Sequence, residues 1–169
     1  MTSPVALKID LPDEKATAAL AVKLAACARR GDVIGLSGPL GSGKTTFARY
    51  FIRARLGTNP QRNQEVPSPT FTLVETYQPE CGPTIWHFDL YRLERAEEAY
   101  ELGIADAFGD GIALVEWPER LGALMPREHL EVALAAGARA ESRVVTVTPS
   151  SAWCDRLKGL EEGARPKRG

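Results

Sequence analysis

Cysteine is scarce in this chain of 169 residues: Cys27, Cys81 and Cys154 are odd in number, widely spaced and form no C-x-x-C pair. That pattern excludes a disulfide framework and the usual zinc spacings, and it fits a reducing compartment. Cys27 and Cys154 fall in helix-like stretches, where each reads as a small buried hydrophobe. Long hydrophobic runs are missing too, and the first residues carry no signal-like apolar core, so the expectation is a cytoplasmic protein with no membrane partner. Neither sign of charge is in excess, with a formal net charge of -1. Near balance argues against holding bulk nucleic acid on a basic face, and partners must be read from local sites. Repeats and linkers are also absent. The composition, 44% hydrophobic and 25% charged, suits one domain over residues 1–160, with residues 161–169 as a flexible polar tail.

What is present centres on Gly38-Pro39-Leu40-Gly41-Ser42-Gly43-Lys44-Thr45, followed by Thr46. This is the phosphate-binding P-loop pattern, in which glycines let backbone N–H groups converge on phosphate oxygens. Lys44 reaches the β- and γ-phosphates as a point charge, and the Thr45 hydroxyl serves Mg²⁺. The context agrees with the pattern. Val33-Ile34-Gly35-Leu36 reads as a strand buried on both faces, and Phe47, Ala48, Phe51, Ile52, Ala54 and Leu56 keep helical spacing up to Gly57. A strand–loop–helix of this kind opens an α/β, P-loop NTPase fold, and its ligand is a nucleoside triphosphate.

Along the rest of the chain, residues 5–9 read as a strand. A helix follows from the Asp10-Leu11-Pro12-Asp13-Glu14 start, through Arg29-Arg30, and closes at Gly31. Residues 58–69 form a long polar loop, of the length that often serves function. Residues 71–77 and 84–91 read as an antiparallel hairpin, residues 92–103 as an acidic-faced helix, and residues 112–115 as a central strand. Two alternating strands, 130–134 and 144–148, precede a last helix over 150–160 capped by Ser150.

Hydrolysis or phosphoryl transfer needs a metal shell and a group that orients the attacking oxygen, and acids at the carboxyl ends of parallel strands can supply both. Glu116 directly follows residues 112–115, and Asp89 follows Ile85-Trp86-His87-Phe88. Either acid could take a Mg²⁺ position or accept a proton from water, so their roles can be exchanged. Thr70 stands where the long loop meets a strand, as metal- or γ-phosphate-binding hydroxyls of switch loops do. His87, with no second His or Cys at ligand spacing, reads as a packing or hydrogen-bonding residue. Arg92 is a candidate phosphate or partner contact, and Trp117 a core residue or a gate over the site.

Several stretches together resemble one family, the TsaE (YjeE-type) P-loop ATPases of bacterial tRNA threonylcarbamoyladenosine biosynthesis. They are Leu11-Pro12-Asp13-Glu14 with Ala16-Thr17, the P-loop, Ser68-Pro69-Thr70-Phe71-Thr72-Leu73-Val74-Glu75, His87-Phe88-Asp89-Leu90-Tyr91-Arg92-Leu93, Glu101-Leu102-Gly103-Ile104 and Val115-Glu116-Trp117-Pro118. The P-loop is common to many families; its combination with the other stretches is specific. The resemblance implies a mixed, partly parallel sheet flanked by helices, ATP and Mg²⁺ as cofactors, and ATP hydrolysis as the activity. It also implies work beside TsaD-like and TsaB-like partners, with tRNA contacted indirectly and the threonylcarbamoyl transfer performed by the partners. Residue by residue, it gives Gly41, Ser42, Gly43, Lys44, Thr45 and Thr46 to the phosphates, and Thr45 and Glu116 to Mg²⁺. Thr70 and Asp89 become switch and Walker-B-like elements, and Trp117 sits beside the nucleotide. Pro12, Glu14 and Thr17 lie near the adenosine, and Arg139 is a further nucleotide contact. The competing expectation is a small-molecule kinase, which would need an acceptor pocket and usually an arginine-rich lid; the sequence has neither an insertion nor an arginine cluster between Lys44 and Glu116. A GTP switch is disfavoured by the lack of an N-K-x-D stretch.

Overall fold

The computed structural model describes residues 5–57 and 65–163. Seven strands form one mixed sheet: β1 (Leu7–Leu11), β2 (Val33–Ser37), β3 (Val74–Tyr77), β4 (Ile85–Asp89), β5 (Ile112–Glu116), β6 (Leu130–Ala136) and β7 (Arg143–Thr148), in spatial order β1-β7-β6-β2-β5-β4-β3. β2 runs parallel to both β5 and β6, and β4 runs parallel to β5, so the α/β expectation with a partly parallel sheet holds. The hairpins β3–β4 and β6–β7 and the pair β1–β7 are antiparallel.

The central strands are buried on both faces, which is why they carry unbroken apolar runs. Ile34, Leu36, Ile112 and Leu114 join one core with α1 (Glu14–Cys27) and α2 (Lys44–Leu56), through Leu20, Leu24, Phe47 and Phe51. Val33, Ala113, Val115 and Phe88 turn to the opposite face and meet the segment that includes α3 (Ile104–Asp110).

Several expected boundaries move. β1 lies two residues later than expected, because its pairing with β7 runs from Leu7↔Val147 to Leu11↔Arg143. Pro12 then ends it by withdrawing a backbone donor. The cap of α1 is Asp13, whose Oδ1 accepts from Ala16 N at 2.9 Å, so Pro12 stands before the helix and not within it. The helix stops at Cys27, short of Arg29-Arg30. Asp32 Oδ2 takes the Arg29 N–H, and Gly31 N donates to Gly111 O at 2.8 Å.

The strand expected from residue 71 begins only at Val74, since residues 70–73 form a turn closed by Leu73 N donating to Pro69 O at 2.7 Å. Of the long loop, residues 58–64 lie outside the described residues. The helix expected over 92–103 is a single 3-10 segment, Ala96–Tyr100; Gly103, at φ 87°, then turns the chain into α3. The last helix is two short ones, α4 (Ser151–Cys154) and α5 (Lys158–Gly163). Trp153, Leu157 and Leu160 keep helical spacing and are buried, while Ser150 makes no side-chain cap and its Oγ has no hydrogen-bond partner among the described residues. α5 crosses the expected start of a tail, and residues 164–169 lie outside the described residues.

Candidate functional site

The β2–α2 turn is shaped by backbone freedom at two points. A Cβ on Gly38, whose φ is 138°, would stand 2.2 Å from the Leu134 carbonyl oxygen. Gly43, at φ 102°, precedes α2 without a side-chain cap, which leaves the first N–H groups of the helix free to meet an anion.

Lys44 follows at once and is only 5% exposed. Its Nζ donates to Gly38 O at 2.7 Å and Pro39 O at 2.9 Å, and stands 4.1 Å from the Trp117 ring centroid. Burial pushes the Lys44 ammonium below the usual lysine range, an effect opposed by the charges of Glu116, Asp89 and Glu119. Trp117 itself holds a left-handed backbone, φ 61° and ψ 52°, uncommon for a bulky residue and typical of functional turns. Its ring lies 5.0 Å from that of Tyr91.

The parallel register brings two acids to the same edge, since Leu36 pairs with Glu116 and Asp89 pairs with Glu116. Thr45 Oγ1 donates to Glu116 Oε1 at 2.8 Å, and His87 Nε2 is 2.7 Å from Glu116 Oε2. Asp89 Oδ2 accepts from Thr70 Oγ1 at 3.1 Å and from Ser68 Oγ at 3.5 Å, while its Oδ1 accepts from Tyr91 N at 3.1 Å. Both acids are buried yet fully engaged by donors, which is how a carboxylate survives away from water.

A cleft of about 270 Å³ collects these groups: Gly41, Gly43, Lys44, Thr45 and Thr46 form its floor, and Thr70, Asp89, Glu116 and Trp117 its walls. A smaller cleft of about 120 Å³ opens beside it, bordered by Glu14, Thr17, Gly43 and Thr46. Pro12 lines neither, because it stands outside the α1 cap. Arg139 also lines neither: its N–H donates to Ser142 Oγ in the β6–β7 turn. Arg143, at the start of β7, borders both clefts. Its Nε donates to Ser42 O at 3.1 Å and its Nη2 to Gly41 O at 3.3 Å, which ties the phosphate turn to β7. Arg92 lies over the Phe71 ring at 4.4 Å and does not line the cleft of the acids. Two features lay beyond the sequence: Arg143 at both clefts, and the identity of Glu116 as the partner of the hydrogen-bonding residue expected at His87. The alternation that puts Ile85, His87 and Asp89 on one face was the available signal for the second.

The arrangement resembles known proteins in both sequence and fold. The family model described as "TsaE: Threonylcarbamoyl adenosine biosynthesis protein TsaE" matches residues 11–145. A protein of Rickettsia conorii named tRNA threonylcarbamoyladenosine biosynthesis protein TsaE is 40% identical over 126 residues, covering 75% of this chain and 69% of its own. One of the same name from Bacillus subtilis is 40% identical over 124 residues, covering 73% and 72%. Among solved structures, the crystal structure of Bacillus subtilis YdiB superposes with a TM-score of 0.73 at 25% identity, covering 98% of this chain and all of that one.

Proposed function

This chain belongs to the TsaE family of threonylcarbamoyladenosine biosynthesis proteins, and on that premise we propose that it is a Mg²⁺-dependent ATPase and an accessory subunit in tRNA threonylcarbamoyladenosine formation. The observation that carries the reading is the 2.8 Å contact between the P-loop hydroxyl of Thr45 and the strand-end carboxylate of Glu116. It pairs a hydroxyl with a carboxylate, two hard-oxygen donors that a Mg²⁺ ion beside β- and γ-phosphates would use.

The donor set fits the cation. Thr45, Thr70, Glu116 and Asp89 offer only hard oxygens, which suit Mg²⁺ and leave it to share ligands with phosphates and water. When bound, Mg²⁺ would neutralise charge on the β- and γ-phosphate oxygens. Thr45 and Glu116 Oε1 would hold it, with Asp89 and Thr70 on the opposite wall. Lys44 would leave the Gly38 and Pro39 carbonyls and donate to the phosphates. Asp89, already accepting from two hydroxyls, would fix the loop of Ser68 and Thr70 against the terminal phosphate and orient an attacking water. Glu14 and Thr17 border the side cleft toward which the nucleoside would extend.

The partners follow from the same site. Phe71, 80% exposed, sits one residue from Thr70. A loop held by the terminal phosphate therefore offers a different surface before and after hydrolysis, as switch loops do. TsaD-like and TsaB-like proteins are the proposed readers, with tRNA contacted through them. The test is ATP hydrolysis by the purified chain, alone and with those proteins, with GTP as competitor. Stimulation by the partners and selectivity for ATP support the reading; the absence of hydrolysis in every combination contradicts it.

A further inference from the structure

We propose that His87 is a positioning residue that aims Glu116, so that Oε1 alone is offered to the metal and to Thr45. This inference rests on the ATPase reading.

His87 pairs with Leu114 and Asp89 with Glu116 in the parallel β4–β5 ladder, so His87 and Glu116 share one sheet face as diagonal neighbours. His87 is 0% exposed and Glu116 2%, and His87 Nε2 stands 2.7 Å from Glu116 Oε2. The other ring nitrogen, Nδ1, is buried without a hydrogen-bond partner among the described residues. A hydrogen on Nδ1 would be a buried unsatisfied donor, so hydrogen-bond accounting places the ring's hydrogen on Nε2, where it is donated to Oε2.

Glu116 is then fixed at both ends. Oε2 is held by His87 from within the core, and Oε1 faces Thr45 Oγ1 at 2.8 Å. Without the histidine the carboxylate could rotate about its last bond, or turn both oxygens toward the cation. Groups that orient a metal-binding residue typically contribute about 10- to 100-fold in metal affinity or activity. In the ladder His87 lies opposite Leu114 and two residues from Ile85, both apolar, and an apolar residue at position 87 would leave Glu116 Oε2 buried without this partner. The polar ring is there for Glu116.

Two amides separate orientation from bulk. His87→Gln carries a nitrogen near the place of Nε2, whereas His87→Asn reaches only as far as Nδ1. Mn²⁺ binding to the ADP-loaded protein, followed by electron paramagnetic resonance, gives a readout independent of turnover. Hydrolysis kinetics with the partner proteins supply kcat and KM. His87→Gln is expected to stay within about threefold of wild type, and His87→Asn to lose about 10- to 100-fold in Mn²⁺ affinity or kcat, with KM for ATP little changed. Thermal midpoints check folding; if His87→Asn does not fold, His87→Met replaces it with the same expectation. Equal behaviour of His87→Gln and the variant that cannot reach Oε2, at any level, overturns the proposal. Wild type that binds Mn²⁺ without hydrolysing ATP contradicts the ATPase reading and leaves the Mn²⁺ comparison to decide His87. Wild type that does not bind Mn²⁺ overturns both.

Discussion

Lys44 Nζ lies 4.1 Å from the Trp117 ring centroid while it donates to the carbonyls of Gly38 and Pro39. Phosphate oxygens carry full negative charge and compete for the same ammonium more strongly than neutral carbonyls do. Nucleotide binding should therefore pull Lys44 off the indole. Tryptophan emission is expected to change on adding Mg-ATP, and the change should vanish in Trp117→Phe while Trp86 and Trp153 remain. Lys44→Ala is expected to abolish binding. A change that persists in Trp117→Phe assigns the signal elsewhere.

The buried position of Lys44 gives that binding a pH dependence. Burial lowers its pKa in the free protein, and phosphates favour the charged form, so the pKa rises on binding. Affinity is then flat at low pH and falls as pH rises through the lowered free-state value, by at most about tenfold per pH unit. The fall should begin below the ordinary lysine value of about 10.4. Lys44→Arg, always charged, should stay flat through the same window in a calorimetric titration.

Arg143 ties Gly41 and Ser42 to β7 through two carbonyl contacts. Removing its charge-assisted hydrogen bonds, discounted for partial solvent access, is expected to weaken ATP binding by about 5- to 50-fold. Arg143→Lys should recover little, since an ammonium cannot reproduce the planar fork. Arg139→Ala should bind as wild type. The reverse ranking of Arg139→Ala and Arg143→Ala would return the role to Arg139.

Below the phosphate turn, His129 Nε2 is 3.3 Å from Glu131 Oε2, and Glu131 Oε1 accepts from Ser37 Oγ. The bond to Glu131 raises the His129 pKa, against burial, with help from the Pro126 carbonyl. A raised folded-state pKa stabilises fully below the unfolded value of about 6.5 and is lost as pH climbs through the folded value. The thermal midpoint should therefore fall over that window in wild type, and less so in His129→Gln. Parallel pH profiles for the two proteins would contradict the assignment.

How much was legible in the sequence varies with the physics that fixes each part. The P-loop helix and the strands β2 and β5 were readable because glycine placement and uninterrupted apolar runs are local signals. Their parallel pairing then brought Glu116 to the loop, as strand-end logic required. The offset of β1 was not legible, since alternation continues through Leu11 and only pairing with β7 decides where it starts. The break in the last helix was hidden because Trp153, Leu157 and Leu160 keep helical spacing across two short helices. Arg143 could not be told from Arg139 by type or neighbourhood; the tight β6–β7 turn, where Gly137 N donates to Ser142 O at 2.9 Å, decides which of them faces the loop. His87 read as a packing or hydrogen-bonding residue and is both, but only the diagonal across the ladder shows that its partner is Glu116.

The most direct measurement compares nucleotide affinity and turnover in Glu116→Ala. ATP affinity should stay within about tenfold of wild type, because the P-loop backbone, Lys44 and Thr45 remain. Hydrolysis in the presence of the partner proteins should fall to background. A Glu116→Ala protein that hydrolyses ATP at the wild-type rate would remove Glu116 from the site and contradict the account at its centre.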